Sequence, residues 1–342
     1  MKAIVFKRHG GPEVLEYSDL PDPQVKADEV LVRVRAVALN HLDLWVRRGL
    51  PGIQIPLPHI PGSDVAGEIA KVGDLVSRVK VGDKVLLAPG VSCGQCAACV
   101  GGADNQCRRY TNLGYMIDGG CAELVKVPEV NAIVIPGDLS WEEAAAVPLV
   151  FLTAWHMLVA RAGVRAGEDV LVLGAGSGVG SAAIQIAKLL GARVIATTSS
   201  AGKVQKAREL GADDVIDYTR EDVQTEVRRL TAKRGVDVVF EHVGTATWES
   251  SVLCLATGGR LVTCGATTGY AAKVDIRYLF SRHLSLLGSY MGSKAELHAV
   301  VKLIGERKLR AVIDRVMPLN QCRRAHEILE SREQFGKIVL NP

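Results

Sequence analysis

The stretch DVLVLGAGSGVGSAAIQIAKLLGA, residues 169–192, joins an apolar run to a glycine-rich turn and then to a helix-forming run. Glycines in such a turn let the backbone approach a pyrophosphate, whose charge then meets the exposed N–H groups at the start of the helix. The spacing departs from G-x-G-x-x-G, because Val179 stands where the third glycine is required and Gly178 and Gly180 close the turn instead. The context of strand, turn and helix favours a dinucleotide site over a purely structural corner.

The residues before Ser140 and those after it have different patterns of predicted strands and helices. After it, strands and helices alternate through RVIATTSS, KVQKARELGA, DVIDY, VDVVFEHVG and GRLVTCGAT. Apolar β-branched strands of this kind indicate a parallel sheet covered by helices on both faces. Before it, short strands that alternate apolar and polar residues are typical of an antiparallel or barrel-like sheet. The sequence therefore predicts an α/β protein with a β-rich part and a doubly wound parallel-sheet part.

Composition limits the classes of protein to consider. A chain of 342 residues favours about two domains, and 48% hydrophobic with 23% charged residues is ordinary for a globular protein. The net charge of +4 comes from cations scattered among anions, which does not favour a nucleic-acid partner. The start, MKAIVFKRHGG, lacks the apolar core of a signal peptide, and no apolar run has membrane-spanning length. We expect a cytoplasmic protein with no nucleic-acid or membrane partner.

Half of the eight cysteines lie in CGQCAACVGGADNQC, residues 93–107, with the spacing C-x2-C-x2-C-x7-C. A reducing compartment disfavours disulfides, so the cluster favours metal ligation. Four thiolates fill a tetrahedral zinc shell and leave no position for substrate or water, which indicates a structural zinc. An iron–sulfur cluster is the alternative, although the fourth cysteine of the ferredoxin run comes three residues later and precedes proline. The predicted ligands are Cys93, Cys96, Cys99 and Cys107.

The end of the second strand of the parallel part bears on the choice of nucleotide. An NAD site usually has an Asp or Glu there for the ribose 2′-hydroxyl, whereas this chain has ATTSS, residues 196–200. The hydroxyls of Thr198 and Ser199, with Lys203 close behind, would accommodate a 2′-phosphate. We predict NADP as the preferred cofactor, with NAD still open because Lys203 equally suits a solvated helix position.

The order of these parts resembles the medium-chain dehydrogenase/reductase superfamily, which includes zinc alcohol dehydrogenases and quinone reductases. The matching motifs are the four-cysteine cluster, GAGSGVG and PGSDVAGEIAKVG, and the resemblance covers essentially the whole chain. It implies a GroES-like catalytic domain at residues 1–149 and 294–342, with a structural-zinc lobe at 91–110. It implies a Rossmann cofactor domain at residues 150–293.

The resemblance also implies where a catalytic zinc would be held. The ligand positions of the zinc alcohol dehydrogenases match Asn40, Ser63 and, near the third, Leu149, none of which ligates zinc in ordinary sites. Leu42 stands where those enzymes have a proton-relaying hydroxyl. The pattern is closer to the zinc-free quinone-reductase branch, in which an Asn near a strand end is followed five residues later by an aromatic residue, here Trp45.

Site residues follow from this comparison. Asn40 is predicted to polarise a substrate carbonyl through its amide, or else to tie down a turn. Trp45 would stack on the substrate or pack in the core. Asp64, after the lost histidine, is the third candidate for the catalytic site, with a structural role favoured in a metal-free site. His41 and Lys337 match positions where the family places basic residues on the cofactor pyrophosphate. The full set of predicted cofactor residues is His41, Thr153, Gly176, Ser177, Gly178, Val179, Gly180, Thr198, Ser199, Lys203, Val243, Gly265 and Lys337.

The resulting functional hypothesis is an NADP(H)-preferring oxidoreductase that passes hydride to a small-molecule quinone, enone or related activated carbonyl without catalytic zinc. One alternative is an alcohol dehydrogenase or aldehyde reductase with an atypical metal site built from Asp64, His59 or His41. Another is a nucleotide-binding protein without turnover. The family's usual homodimers or homotetramers are expected through the edge strand around LSLLGSYMG, residues 284–292.

Overall fold

The computed structural model describes all 342 residues. The chain divides into two compact units, which we call unit 1 (Met1–Leu152 and Gly292–Pro342) and unit 2 (Thr153–Met291). The strands are β1 (Lys2–Val5), β2 (Glu16–Asp19), β3 (Glu29–Ala38), β4 (Asp64–Val72), β5 (Lys84–Leu87), β6 (Gly90–Val91), β7 (Thr111–Asn112), β8 (Leu124–Pro128), β9 (Ala132–Val134), β10 (Asp169–Val172), β11 (Arg193–Thr198), β12 (Asp214–Asp217), β13 (Val236–Glu241), β14 (Leu255–Thr263), β15 (Ser285–Gly288), β16 (Ile313–Pro318) and β17 (Lys337–Asn341).

The α-helices are α1 (His41–Arg48), α2 (Ala97–Val100), α3 (Trp141–Ala145), α4 (Pro148–Trp155), α5 (Gly178–Leu189), α6 (Ala201–Glu209), α7 (Val223–Leu230), α8 (Trp248–Leu253), α9 (Ile276–Ser281), α10 (Lys294–Gly305) and α11 (Cys322–Ser331). Short 3-10 turns occupy Pro12–Val14, Asp104–Gln106, Glu129–Asn131 and Leu319–Gln321, and a π-helical turn follows α4 at His156–Arg161. None of the helices is both long enough and apolar enough to span a membrane.

Unit 1 is organised around the ten-residue strand β3. A seven-stranded sheet has the order β16-β17-β3-β4-β5-β9, and β8 also pairs with β3. Along β3, Val30, Val32 and Val34 are buried while Arg33 and Arg35 are exposed, because successive side chains of a strand point to opposite faces. The antiparallel partners β4 and β17 both bring their first residues to the carboxyl end of β3.

Unit 2 is a six-stranded, all-parallel sheet with the order β12-β11-β10-β13-β14-β15. Its central strands are apolar and buried because helices cover both faces, so the predicted α/β class and the parallel sheet are confirmed. The chain runs outward from β10 to one edge and then returns to β13 on the other side of β10. Ligands of doubly wound sheets bind at this switch point, outside the carboxyl ends of the strands.

Candidate functional site

The glycine turn lies at the carboxyl end of β10, at the switch point of unit 2. Gly174 has a left-handed φ of 62°, and a Cβ on Gly180 would lie 2.3 Å from the carbonyl oxygen of Gly174. The Ser177 hydroxyl donates to that carbonyl at 2.8 Å and accepts from Gly180 N at 2.9 Å. The backbone of the turn is thus fixed from inside, and the first N–H groups of α5, at Gly178 and Val179, suit a pyrophosphate.

The neighbouring strand end fits the ribose side of a dinucleotide. Thr198 closes β11, and its hydroxyl is buried without a hydrogen-bond partner. Ser199 and Lys203 are both half-buried beside it. The N-cap residue of α6, Ser200, makes no side-chain capping bond, so the first N–H groups of this helix remain open to an anion. An orphaned hydroxyl and an uncapped helix start are the groups that a ribose or its phosphate would satisfy.

Asp217 is a residue near this strand end that sequence reasoning missed. The parallel register pairs Thr198 of β11 with Asp217 of β12, so the two side chains lie on the same face of the sheet. Hydrogen bonds from the hydroxyl and N–H of Thr219 hold the Asp217 carboxylate at 2.6 and 3.1 Å, and they lower its pKa. The last acidic residue of DVIDY was the available signal, but only the register shows which strand end it joins.

The remaining unit 2 candidates follow β13 and β14. Val243 N donates to Glu241 Oε1 at 3.0 Å, and its carbonyl accepts from Thr268 N at 2.8 Å. Gly265 comes two residues after the end of β14, so both residues lie at the carboxyl ends of the strands, where the glycine turn also lies. Thr153, in α4, is buried with its hydroxyl 3.9 Å from the sulfur of Met291.

His242, directly after β13, supports the glycine turn and was not predicted. Its Nε2 lies 2.9 Å from the carbonyl oxygen of Leu173, and its ring lies 3.2 Å from where a Cβ on Gly174 would be. Burial lowers the pKa of His242, so the neutral ring donates its Nε2–H to Leu173. A Cβ at position 174 would therefore crowd this ring, and the left-handed φ of 62° adds to the preference for glycine there.

In unit 1, the residues at three adjacent strand ends form a buried polar cluster of Asn40, Asp64 and Lys337. Lys337 Nζ lies 2.9 Å from Asp64 Oδ2 and donates to Asn40 Oδ1 at 2.6 Å. Asn40 Nδ2 donates to the same Asp64 oxygen at 2.9 Å and to Ala38 O at 3.4 Å. The other oxygen of Asp64 accepts from Leu149 N at 2.7 Å, in the first turn of α4. All three side chains are buried.

Hydrogen bonds within the protein occupy the polar groups of this cluster. Both donor positions of the Asn40 amide are used internally, one toward Asp64 and one toward Ala38 O. The Lys337 ammonium is paired with Asp64 and donates to Asn40 Oδ1. Asp64 is fully buried, and both of its carboxylate oxygens accept hydrogen bonds within the protein.

Ser63 and the predicted alternative ligands do not assemble a second metal site. The Ser63 hydroxyl is buried and donates to Leu113 O at 2.7 Å. His59 is buried against the ring of Phe6, with its Nδ1 3.8 Å from Asp118. Across residues 1–342, the cysteine cluster alone brings three or more His, Cys, Asp or Glu ligand atoms together. Asp64, His59 and His41 are not among such groups in this structure.

Helix α1 presents a half-buried face next to the polar cluster. His41 and Trp45 lie one turn apart on it, with their rings edge-on at 5.2 Å between centroids. The opposite face is fixed by Asp43, whose carboxylate accepts from Asn40 N at 2.7 Å and Gly62 N at 2.9 Å. Burial raises the pKa of Asp43 to about 6. His41 and Trp45 thus remain the accessible candidates of this region.

The four predicted metal ligands converge. The Sγ atoms of Cys93, Cys96, Cys99 and Cys107 all lie within 4.8 Å of one another, and the cysteines are not bridged. Two of the separations, 3.8 Å for Cys93–Cys99 and 3.5 Å for Cys96–Cys99, are close to the edge of about 3.8 Å that a tetrahedron with Zn–S bonds of about 2.3 Å requires. Cys107 Sγ also accepts from the N–H of Cys93 and of Arg109, at 3.5 and 3.4 Å. The thiol set therefore fits a tetrahedral metal ion.

The cysteine lobe is tied to the start of α10. Asp104 accepts from Lys294 N at 2.9 Å and from Lys294 Nζ at 2.8 Å, and Ser92 Oγ lies 3.2 Å from the same ammonium. Ser92 directly precedes Cys93, and Asp104 lies three residues before Cys107. Order in the metal loop is thereby coupled to the first turn of α10.

Comparison with known proteins shows which family combines two such units. A family model described as an alcohol dehydrogenase GroES-like domain matches residues 26–137, and one described as a zinc-binding dehydrogenase matches residues 178–306. The chain is 36% identical over 354 residues to a quinone oxidoreductase of Pseudomonas aeruginosa, covering 100% of this chain and 99% of that protein. The chain belongs to the medium-chain dehydrogenase/reductase superfamily.

Other medium-chain dehydrogenase/reductase proteins are similar at comparable levels. An acryloyl-coenzyme A reductase of Metallosphaera sedula is 32% identical over 348 residues, with 99% of each chain covered. A solved structure described as an NAD-dependent alcohol dehydrogenase matches with a TM-score of 0.96 and 48% identity over 100% of both chains. The chain is therefore an NAD(P)-dependent oxidoreductase, as predicted, and these relatives span several substrate classes.

Proposed function

We propose that this medium-chain dehydrogenase/reductase reduces quinones or conjugated carbonyl compounds with NADPH, without a catalytic metal ion. The main support is the position of the Lys337 ammonium, which lies 2.9 Å from Asp64 and donates a hydrogen bond to Asn40. These residues lie beside the positions that match the family's zinc ligands. A fixed positive charge there repels a divalent cation and consumes the carboxylate that would attract one. The names of the quinone oxidoreductase and acryloyl-coenzyme A reductase relatives support the same substrate classes.

The substrate class follows from the chemistry of hydride addition. When bound, reduced nicotinamide supplies the hydride. Without a Lewis acid, an isolated carbonyl loses several kcal/mol of charge stabilisation, by the usual size of that effect. Conjugated acceptors spread the developing charge over more atoms and depend less on such a group. This chain contributes the glycine turn, which binds and orients the cofactor, and the half-buried face of His41 and Trp45, to which we assign the substrate.

A substrate panel tests the proposal. With purified protein, NADPH oxidation by benzoquinones and α,β-unsaturated carbonyls should exceed reduction of simple aldehydes and ketones by at least about 100-fold, the rate equivalent of roughly 3 kcal/mol. Oxidation of primary and secondary alcohols with NADP+ should be slower still. Alcohol dehydrogenase is the second candidate, because a 48% identical solved structure carries that description. Alcohol oxidation that outpaces enone reduction, or activity that returns with added zinc, would reverse the order of the two candidates.

We further propose NADPH over NADH, supported by the unpartnered Thr198 hydroxyl and the uncapped start of α6. Lys203→Ala should weaken NADPH binding about tenfold and leave NADH binding unchanged, because a charged hydrogen bond to the 2′-phosphate is worth about 1.5–3 kcal/mol. Thr198→Asp should reverse the preference, since a carboxylate repels the 2′-phosphate and accepts from a 2′-hydroxyl.

Fluorescence titration with both cofactors measures these affinities. Lys206→Ala, one turn later on α6 and exposed, is the matched control and should change neither value. Equal affinities in the unaltered protein, or tighter NADH binding, would contradict the preference and agree with the NAD-dependent structural relative.

We propose zinc as the metal of the cysteine lobe, supported by the closed set of four thiols and the separations close to a tetrahedral edge. The ion would hold the lobe in shape and take no part in the chemistry, because all four positions are filled by protein ligands.

We also propose a homo-oligomer built through the edge strand β15. One side of β15 is unpaired in the sheet, and Tyr270, Ile276, Phe280 and Tyr290, in the segments flanking it, are exposed by 72, 71, 66 and 54%. Exposed apolar side chains beside an open strand edge are typical of a pairing surface. Sedimentation velocity should show a dimer or tetramer, and a monomer at micromolar concentration would exclude it.

A further inference from the structure

A cavity of about 680 Å³ opens in unit 2 at the amino ends of β13 and β14. We call it the arginine pocket because five cationic side chains line it: Arg228, Arg229, Lys233, Arg234 and Arg282. Leu253 and Tyr278, both half-buried, add an apolar wall. The parallel strands run about 20 Å from this edge to their carboxyl ends, as six residues at about 3.3 Å each require. The arginine pocket therefore lies at the amino ends of the parallel strands, and the glycine turn lies at their carboxyl ends.

Two of the five cations are neutralised by carboxylates. Arg229 pairs with Glu226 at 2.7 Å, within α7. Arg234 pairs with Asp237 at 2.6 Å and with Asp169 at 2.8 Å. These ion pairs fix the two guanidinium groups. The positive charge that remains in the pocket comes from the other three cations.

The other three cations have no carboxylate within ion-pair distance. Arg282 donates to Leu255 O at 2.6 Å and lies over the ring of Tyr278 at 5.0 Å, so its partners are neutral. Arg228 and Lys233 are exposed at the mouth and take part in no ion pair. Three cations without a carboxylate partner give the pocket an excess of positive charge, which favours an anionic ligand.

The turn that presents Lys233 is held in an unusual backbone conformation. Ala232 and Lys233 have φ values of 49° and 68°, a left-handed region that costs a residue other than glycine about 1–2 kcal/mol. The buried Thr231 hydroxyl keeps the turn in place, donating to Val227 O at 2.7 Å and accepting from Gly235 N at 3.0 Å. Strain of this kind persists where the surroundings determine it, and it clusters at ligand sites.

We propose that the arginine pocket binds a small molecule carrying at least two linked phosphate groups, at a site separate from the dinucleotide turn. Guanidinium and ammonium groups donate several charge-assisted hydrogen bonds to phosphate oxygens. Three uncompensated cations match the charge of a diphosphate. The cavity is larger than two phosphates need, so the half-buried side chains of Leu253 and Tyr278 can pack against an organic part. This assignment is independent of the substrate proposed above.

Calorimetry on the cofactor-saturated protein tests it, because NADP+ then blocks the glycine turn. Pyrophosphate and tripolyphosphate should bind with one molecule per chain, at least about tenfold more tightly than orthophosphate. ADP in place of pyrophosphate identifies the source: tighter binding of ADP indicates a nucleotide whose base or ribose uses the apolar wall. Equal binding indicates an inorganic phosphate chain.

Arg228→Gln with Lys233→Asn removes two of the unpaired charges without touching a paired one, and Asn tolerates the left-handed backbone at position 233. Pyrophosphate affinity should fall at least about tenfold. Arg33→Gln with Lys71→Gln is the control, an equal loss of charge at exposed positions of unit 1, and should leave affinity within about twofold. Failure of pyrophosphate to bind at millimolar concentration overturns the proposal. An equal loss in both double variants overturns it as well.

Discussion

Lys337→Met is expected to lower the free energy of unfolding of unit 1 by about 3–5 kcal/mol, the usual cost of removing one partner of a buried ion pair. The methionine fills similar space but leaves the Asp64 carboxylate, which is fully buried, without its counter-charge. It also removes the donor to Asn40 Oδ1. The amides of β3 and β4 report the opening of this sheet, so native-state hydrogen exchange measures the change directly.

A surface pair supplies the control for Lys337. Lys308 lies 2.8 Å from Glu306, with both side chains substantially exposed, and Lys308→Met should cost less than about 1 kcal/mol. Adding Asp64→Asn to Lys337→Met should recover part of the loss, because no buried charge remains. If Lys337→Met were as mild as Lys308→Met, the ammonium would not be the partner of Asp64 in solution. A metal-free site would then no longer be expected.

Removing the metal from the cysteine lobe is the second large effect we expect. After chelation, amide exchange in residues 92–108 should accelerate at least about 100-fold, because metal binding supplies most of the folding free energy of such lobes. Helix α2 is only four residues long, too short to persist alone. The first turn of α10 should exchange about tenfold faster, since Asp104 and Ser92 would no longer hold Lys294. Metal analysis should find one zinc per chain before chelation.

Cysteine variants separate the lobe from the rest of the chain. Cys107→Ser should abolish metal binding and reproduce the exchange pattern of the chelated protein. Cys264→Ala, which alters a thiol outside the lobe, should keep one zinc per chain. Recovery of iron with a visible absorption band would replace zinc by an iron–sulfur cluster. Unchanged exchange in α10 after chelation would refute the coupling through Lys294.

Features encoded within a short stretch of chain were predictable. The glycine turn, with Gly174 and Gly180 six residues apart, depends on local backbone freedom. It also depends on the lack of space for a Cβ at Gly180, in the first turn of α5. The spacing of Cys93 to Cys107 places four ligands in one loop, which sequence alone indicates. The parallel sheet follows from apolar strands that alternate with helices. In each case the residues that must meet are close in sequence, so their pattern carries the information.

Features made by strand register were not predictable. Asn40 and Lys337 are 297 positions apart, and Asp64 and Lys337 are 273 apart, yet all three meet at adjacent strand ends of one sheet. Strand register also puts Asp217 beside Thr198, at the carboxyl ends of β11 and β12.

The sequence by itself determined the family, the two kinds of sheet and the metal loop. Only the tertiary structure decided that the Asn40 amide is used internally, that Lys337 neutralises Asp64, and that unpaired cations line a pocket at the far edge of unit 2. The physical reason is that a side chain's charge and hydrogen-bonding capacity are properties of the residue, whereas the partner that satisfies them is set by long-range packing and register.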